Sequence, residues 1–252
     1  IISEMIMRSE FKSTHMAVGA LVFQAADMAR DALDQLYAMH PTFVEYFDAA
    51  LFDKASSQGG NFEWYTSAAA QFTPASVVIF GFDDFNAHHR EKALKRIQKA
   101  DGQRDDVGVV MADAEKAPDI LAALDVANYT KLPDHRDTIS PELFSGFHVP
   151  TARLEDFMNA IADLAKRDHV ELPISGHAMT NVYAVHPSLE LHKVSDKQRL
   201  FKLLEDLTKL VYAHGGTMIA EGGEGRLKTR AMYSQLDPRV VEMYTAIRQV
   251  CD

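Results

Sequence analysis

The stretch HMAVGALVFQAADMARDALDQLYAM, residues 15–39, decides the fold. Residues 15–24 are apolar almost throughout and have the length of a strand buried on both faces. Over residues 26–39 the apolar positions recur at helical spacing, with Asp27 in the first turn. A strand therefore hands straight over to an amphipathic helix. Working outward, residues 43–51 read as a strand with polar side chains turned out, and 56–74 open as a loop. Residues 75–82 (ASVVIFGF) form a β-branched strand, Asn86 caps a helix to about Ala100, and 107–111 form another strand.

Strand–helix–strand, loop, strand–helix–strand is the double split βαβ of a ferredoxin-like sheet. The second half adds a strand over 143–149, a helix over 153–167 and a strand or strand pair over 173–185. A long helix follows over 195–213, closed by Gly215 and Gly216, then a short strand over 217–221 and a glycine-rich turn. Two short helices end the chain, the last opening at Asp237-Pro238. Residues 1–8 alternate like a strand. The expected class is α+β: a ferredoxin-like antiparallel sheet with flanking helices, plus C-terminal helices.

Of 252 residues, 47% are hydrophobic and 25% charged, which excludes disordered, collagen-like and rod-like chains. With 26 basic against 36 acidic residues the net charge is −10, and a nucleic-acid partner, which needs a basic footprint, is not expected. The single cysteine, Cys251, leaves no disulfide framework or cysteine-cluster metal site. No apolar run approaches the ~20 residues of a membrane helix, and no secretory leader pattern opens the chain, so a cytoplasmic location is expected.

Two segments carry candidate chemistry. GGTMIAEGGEGRLK, residues 215–228, gathers five glycines and two glutamates around a turn. Glycines there allow positive φ and close backbone approach to a ligand. The segment has neither the Gly-Lys-Ser/Thr of a phosphate loop nor the βαβ setting of a dinucleotide fingerprint. The bland reading is a strand-to-helix turn. SGHAMTNVYAVHP, residues 175–187, carries His177 and His186 nine apart. On an unbroken strand an odd separation puts them on opposite faces, and a shared metal needs a turn or bulge between them. The bland reading is two hydrogen-bonded histidines at the rim of a core. His88, His89 and His192 read as surface, and the aromatic clusters over 43–52 and 62–72 as core or interdomain contact.

Taken in order, IISE (1–4), FHVPTARLEDF (147–157), SGHAMTNVY (175–183) and EGGEGRLK (221–228) resemble the C-terminal part of FAD-linked oxidases of the vanillyl-alcohol-oxidase superfamily. Within it the nearest look is to the D-lactate dehydrogenase and glycolate oxidase FAD-subunit type. The family motifs are an Ile-Ile-Thr-Glu strand, a Val-Pro-x-Ser-Arg-Leu segment, a Gly-His-x-Gly-Asp-Gly-Asn-Leu-His strand and a Gly-Glu-His-Gly-Ile-Gly turn. The resemblance implies that residues 1–12 are the last strand and linker of a missing FAD-binding domain. It makes 13–214 the cap, or substrate, domain, and 215–252 a segment returning to the FAD domain.

The function so implied is FAD-dependent oxidation of a D-2-hydroxy acid such as D-lactate or glycolate. Matched onto the motifs, His177 and Glu221 are the catalytic candidates, and Asn181, Gly222, Gly223, Gly225 and Lys228 lie toward the cofactor. Arg153 and His186 are substrate-binding candidates. The family's second histidine falls at Tyr183 or Ala184, and the histidine of the glycine turn is Gly222. The divalent metal of some members is thus left with His177 and Glu221. Implied partners are a small hydroxy-acid substrate, a peripheral-membrane or electron-acceptor partner, and, as an option, a second copy. Two competing readings stand beside this one: a catalytically degenerate ligand-binding or interaction module, and a metal hydrolase built on His177, His186 and Glu221.

Overall fold

Every residue of β1 (Ala17–Phe23) is buried, because both faces of the strand are covered. The computed structural model describes residues 4–7, 9, 15–112, 116–134, 137–222 and 225–251. After β1 come α1 (Ala26–Tyr37), β2 (Phe43–Asp48), α2 (Ala49–Ser57), α3 (Glu63–Ala68), β3 (Ser76–Phe82), α4 (Ala87–Asp101) and β4 (Val107–Ala112). The chain continues through α5 (Ala117–Ala122), a 3₁₀ turn over Ala123–Asp125, α6 (Val126–Tyr129), β5 (Phe144–His148) and α7 (Leu154–Asp168). It ends with β6 (Ile174–His177), β7 (Val182–Val185), α8 (Val194–Ala213), α9 (Gly225–Tyr233) and α10 (Pro238–Cys251).

Among the described residues the strands form one sheet in the order β4-β1-β3-β2-β6-β7-β5, every neighbouring pair antiparallel. The first four strands with α1 and α4 are the expected ferredoxin-like unit, and the last three extend it past β2. The strand period sorts the side chains into two cores. Leu21, Phe23, Val78, Phe80 and Tyr46 face one layer, shared with residues of α1, α4, α7 and α8. Val18, Ala20, Val22, Val77, Ile79 and Phe47 face a second layer of α2, α3, α5 and α6. That second core takes its strand residues from β1 to β4 alone. On this side β6, β7 and β5 contribute no residue to that core, and the site lies there.

Several expectations need correction. Residues 4–7 carry no strand and pair with no neighbour, while the rest of the strand expected over 1–8 lies outside the described residues. The strand expected over 43–51 stops at Asp48; Ala49, Leu51, Phe52 and Ala55 then bury one face of α2. The loop expected over 56–74 contains α3, which brings Trp64 and Tyr65 onto Phe52. The strand expected over 217–221 shrinks to one bridge, Thr217 with His148. Its cause is the irregularity in β5 between Phe144 and Phe147, where Gly146 sits at φ 71°. The Gly146 carbonyl accepts from both Ala220 N (2.8 Å) and Glu221 N (3.2 Å), so the chain turns across the sheet edge instead of pairing along it.

Candidate functional site

In the register of β2, β6 and β7, Glu45 lies opposite His177, and His177 opposite Val182. Two residues along, Phe47 lies opposite Ser175, and Ser175 opposite Ala184. All six side chains share one face of the sheet. The β6–β7 turn closes with Asn181 in the left-handed region at φ 54°, its Nδ2 donating to Thr151 Oγ1 at 2.9 Å.

His177 stands between two carboxylates. Its Nδ1 is 2.8 Å from Glu45 Oε1, and its Nε2 is 3.5 Å from Glu221 Oε2. The glycine-rich turn therefore reaches the histidine strand, carried there by the Gly146 clamp on Glu221. A Cβ on Gly146 would collide with the Glu221 carbonyl oxygen, so glycine is needed both for this approach and for its positive φ. Glu221 and His177 are more than half exposed, whereas Glu45 retains only 16% exposure.

Burial alone would pull the His177 pKa down. The hydrogen bond donated to Glu45 and the charges of Glu45, Glu221 and Glu142 outweigh it, and the net direction is up. Glu45 is also raised: burial outweighs its bond to His177, and the Glu221 charge adds to the rise. The result is an imidazole more basic than usual, held by one fixed carboxylate and one exposed carboxylate.

Two clefts meet at this pair. One, of about 210 Å³, is bounded by Glu45, Glu142, Glu221 and His177 at one end and by Phe47, Leu124, Ala127 and Ala184 at the other. The second, of about 410 Å³, shares Glu45, His177, Val182 and Glu221, and adds Phe43, Met179 and Thr180. Among the described residues neither is lined by a lysine or an arginine.

The other candidates are placed as follows. Gly222 (φ 67°) and Gly225 (φ 54°) sit in open space on the turn, and Gly223 lies outside the described residues. Lys228 is buried on α9 and donates to the Ser145 carbonyl at 2.6 Å, anchoring that helix to β5. Arg153 is exposed at the start of α7, 3.5 Å from Asp156 and in neither cleft. The hairpin brings His186 onto the same face as His177. It is fully buried there, with Nε2 2.8 Å from Ser175 Oγ. Tyr183 turns into the opposite core, leaving Ala184 on the site face. Among the described residues no group of three or more His, Cys, Asp or Glu is arranged to hold a metal ion.

Sequence reasoning missed Glu45, Glu142 and Ser175. No local motif marks Glu45, which lies 132 positions from its partner. Only the strand register could have found it.

Burial also holds the His186 pKa down to about 4, with the Lys131 charge adding to the effect. Unfolding lets it take a proton below pH ~6.5, so its contribution is complete above that pH and is lost as pH falls toward 4. Asp48, raised to about 6 by burial, works the other way: its contribution is complete below its ordinary range and is lost as pH rises through 6. Each is worth about 3 kcal/mol at most. In urea titrations of the wild type between pH 4 and 6 these two contributions therefore oppose each other. In His186→Asn the Asp48 contribution is left alone, and stability rises as pH falls. A variant that keeps the wild-type pH profile would refute this.

The model of the family described as FAD linked oxidases, C-terminal domain, matches residues 12–252. No curated protein matches the sequence. Among solved structures, p-cresol methylhydroxylase with bound substrate is similar at a TM-score of 0.64 and 8% identity, over 95% of this chain and 51% of that one. The 4-ethylphenol oxidase from Gulosibacter chungangensis gives 0.60 and 11%, over 96% and 52%. An alkyldihydroxyacetonephosphate synthase gives 0.55 and 14%, over 91% and 44%. The chain spans about half the length of these structures, and at such identities the likeness is one of fold. No helix among the described residues is long and apolar enough to cross a membrane.

Proposed function

The chain belongs to the family of FAD linked oxidase C-terminal domains, and from that premise we propose that it is the substrate-holding part of an FAD-dependent oxidoreductase acting on a hydroxyl-bearing substrate. The observation that carries the reading is His177, more basic than usual and fixed by Glu45 on the sheet face that lines the clefts. Around the histidine the clefts are lined by the small residues Gly146, Val182 and Ala184, which leave room beside its ring. FAD, when bound, supplies the acceptor for the two electrons and the hydrogen removed from carbon. His177 receives the hydroxyl proton at the nitrogen facing the cleft, Glu45 holds the ring by its other nitrogen, and Glu221 stabilises the imidazolium. In this account residues 13–214 hold substrate and 215–252 lead back toward the FAD-binding polypeptide.

The finer reading, a D-2-hydroxy acid, asks for a cation opposite the carboxylate. Arg153 and Lys228 are engaged with Asp156 and Ser145, and Glu45, Glu142 and Glu221 repel an anion. A hydroxy acid must then find its cation on polypeptide beyond these clefts, whereas an uncharged alcohol needs none. The test is flavin bleaching in the full-length protein with ethylene glycol, glycolate and D-lactate. Bleaching at lower concentration by the uncharged alcohol is the expected result. Preference for glycolate or D-lactate would restore the hydroxy-acid reading, and a protein without bound flavin would overturn the proposal. A flavoprotein bleached by no alcohol would favour the degenerate ligand-binding module.

Glu45→Gln separates the base from its support. Removing the carboxylate lowers the His177 pKa, so the acid limb of the rate–pH profile moves to lower pH while the plateau falls. An unmoved limb would remove Glu45 from the account.

A further inference from the structure

The far end of the 210 Å³ cleft is apolar, walled by Phe47, Leu124, Ala127 and Ala184, yet its floor carries one hydroxyl, Ser175. Ser175 is 8% exposed, and its one hydrogen bond in the structure is to His186 Nε2 at 2.8 Å. Behind it His186 has no exposure at all and is neutral across the physiological range. The peptide N–H of His186 donates to the Pro173 carbonyl at 2.8 Å, which fixes the residue on the strand edge. The other side of the His186 ring faces the Ser140 backbone, and among the described residues no carboxylate orients this pair as a nucleophilic triad requires. A buried imidazole bonded to a cleft hydroxyl holds that hydroxyl in place. Whichever way the shared proton lies, Ser175 keeps one hydrogen-bonding direction open. Apolar pockets with a few fixed polar groups are how proteins orient small ligands.

We propose that Ser175, positioned by His186, is a second grip on the substrate, taking an uncharged hydroxyl group while His177 takes the reacting one. This rests on the reading of His177 given above. Ser175 and His177 are two apart on β6 and share a face, which sets the two grips ~7 Å apart. The substrate class is thus an alcohol with a second uncharged hydroxyl at the other end of a chain of about four carbons. A carboxylate is disfavoured by the three glutamates at the other end, and a ligand hydroxyl, both donor and acceptor, satisfies Ser175 in either proton arrangement.

The probes are 1,4-butanediol and 1-butanol, added to the chain labelled with ¹⁵N in its histidine rings. The His186 ring resonances are expected to respond to the diol at about fivefold lower concentration than to the mono-alcohol, the worth of one neutral hydrogen bond. Ser175→Ala removes that advantage and Ser175→Thr keeps it. Equal response to the two alcohols in the wild type, or an advantage that survives Ser175→Ala, overturns the proposal. Flavin reduction in the full-length protein reports separately on His177. A diol advantage without reduction by any alcohol sinks the oxidation reading and spares this one; reduction without a diol advantage does the reverse.

Discussion

Replacing His177 with glutamine lowers alcohol-dependent flavin reduction in the full-length protein by about 10²- to 10⁴-fold, the usual worth of a positioned base. Glutamine spans a similar distance and can still bond to Glu45, but it accepts no proton. The side chain is 53% exposed at a cleft wall, so the fold does not depend on it. Stopped-flow absorbance of the bound flavin measures the effect, with the flavin spectrum before mixing as the control for cofactor retention. A variant within about threefold of the wild type would show that the proton leaves by another route.

Phe52→Ala is expected to cost about 3–5 kcal/mol, the largest single loss of stability in the second core. Phe52 has no exposure, and its ring lies 4.8 Å from Tyr65, 5.3 Å from Phe62, 5.6 Å from Trp64 and 5.9 Å from Phe47. Phe47 comes from β2, Trp64 and Tyr65 from α3 and Phe62 from its N-cap, while Phe52 itself is on α2, so the cavity left by alanine cannot close without shifting these elements. Phe47 also walls the cleft, which ties this core to the site. Urea unfolding of the variant is the measurement, and a loss under about 1 kcal/mol would mean that the cluster repacks.

How far the sequence could be read follows from which forces act locally. β1 and β3 are buried on both faces, so their unbroken apolar runs match them closely. The end of β2 was hidden because Phe43 to Phe52 suits either period, and the choice falls to Asp48. Its carboxylate accepts from Ile174 N on β6 and from Tyr46 OH, contacts no local pattern announces. Likewise α5 and α6 passed unassigned, since their short apolar faces matter only once the sheet lies beneath them.

In the site, His177 and Glu221 were legible through motif order, and the structure brings their side chains together. Glu45 was not legible, because an antiparallel register joins residues with no sequence relation. The histidine pair shows the same limit: nine positions apart suggests opposite faces, and the tight turn at Asn181 puts both on one.

The central claim is that the face of β2, β6 and β7 bearing His177 lies over the flavin ring. A crystal structure of the full-length flavoprotein tests it most directly. The account predicts the ring in van der Waals contact with the surface around Gly146, Val182 and His177, with the substrate cleft between them. A flavin seated against the α1, α4, α7 and α8 layer, or out of reach of His177, would contradict it.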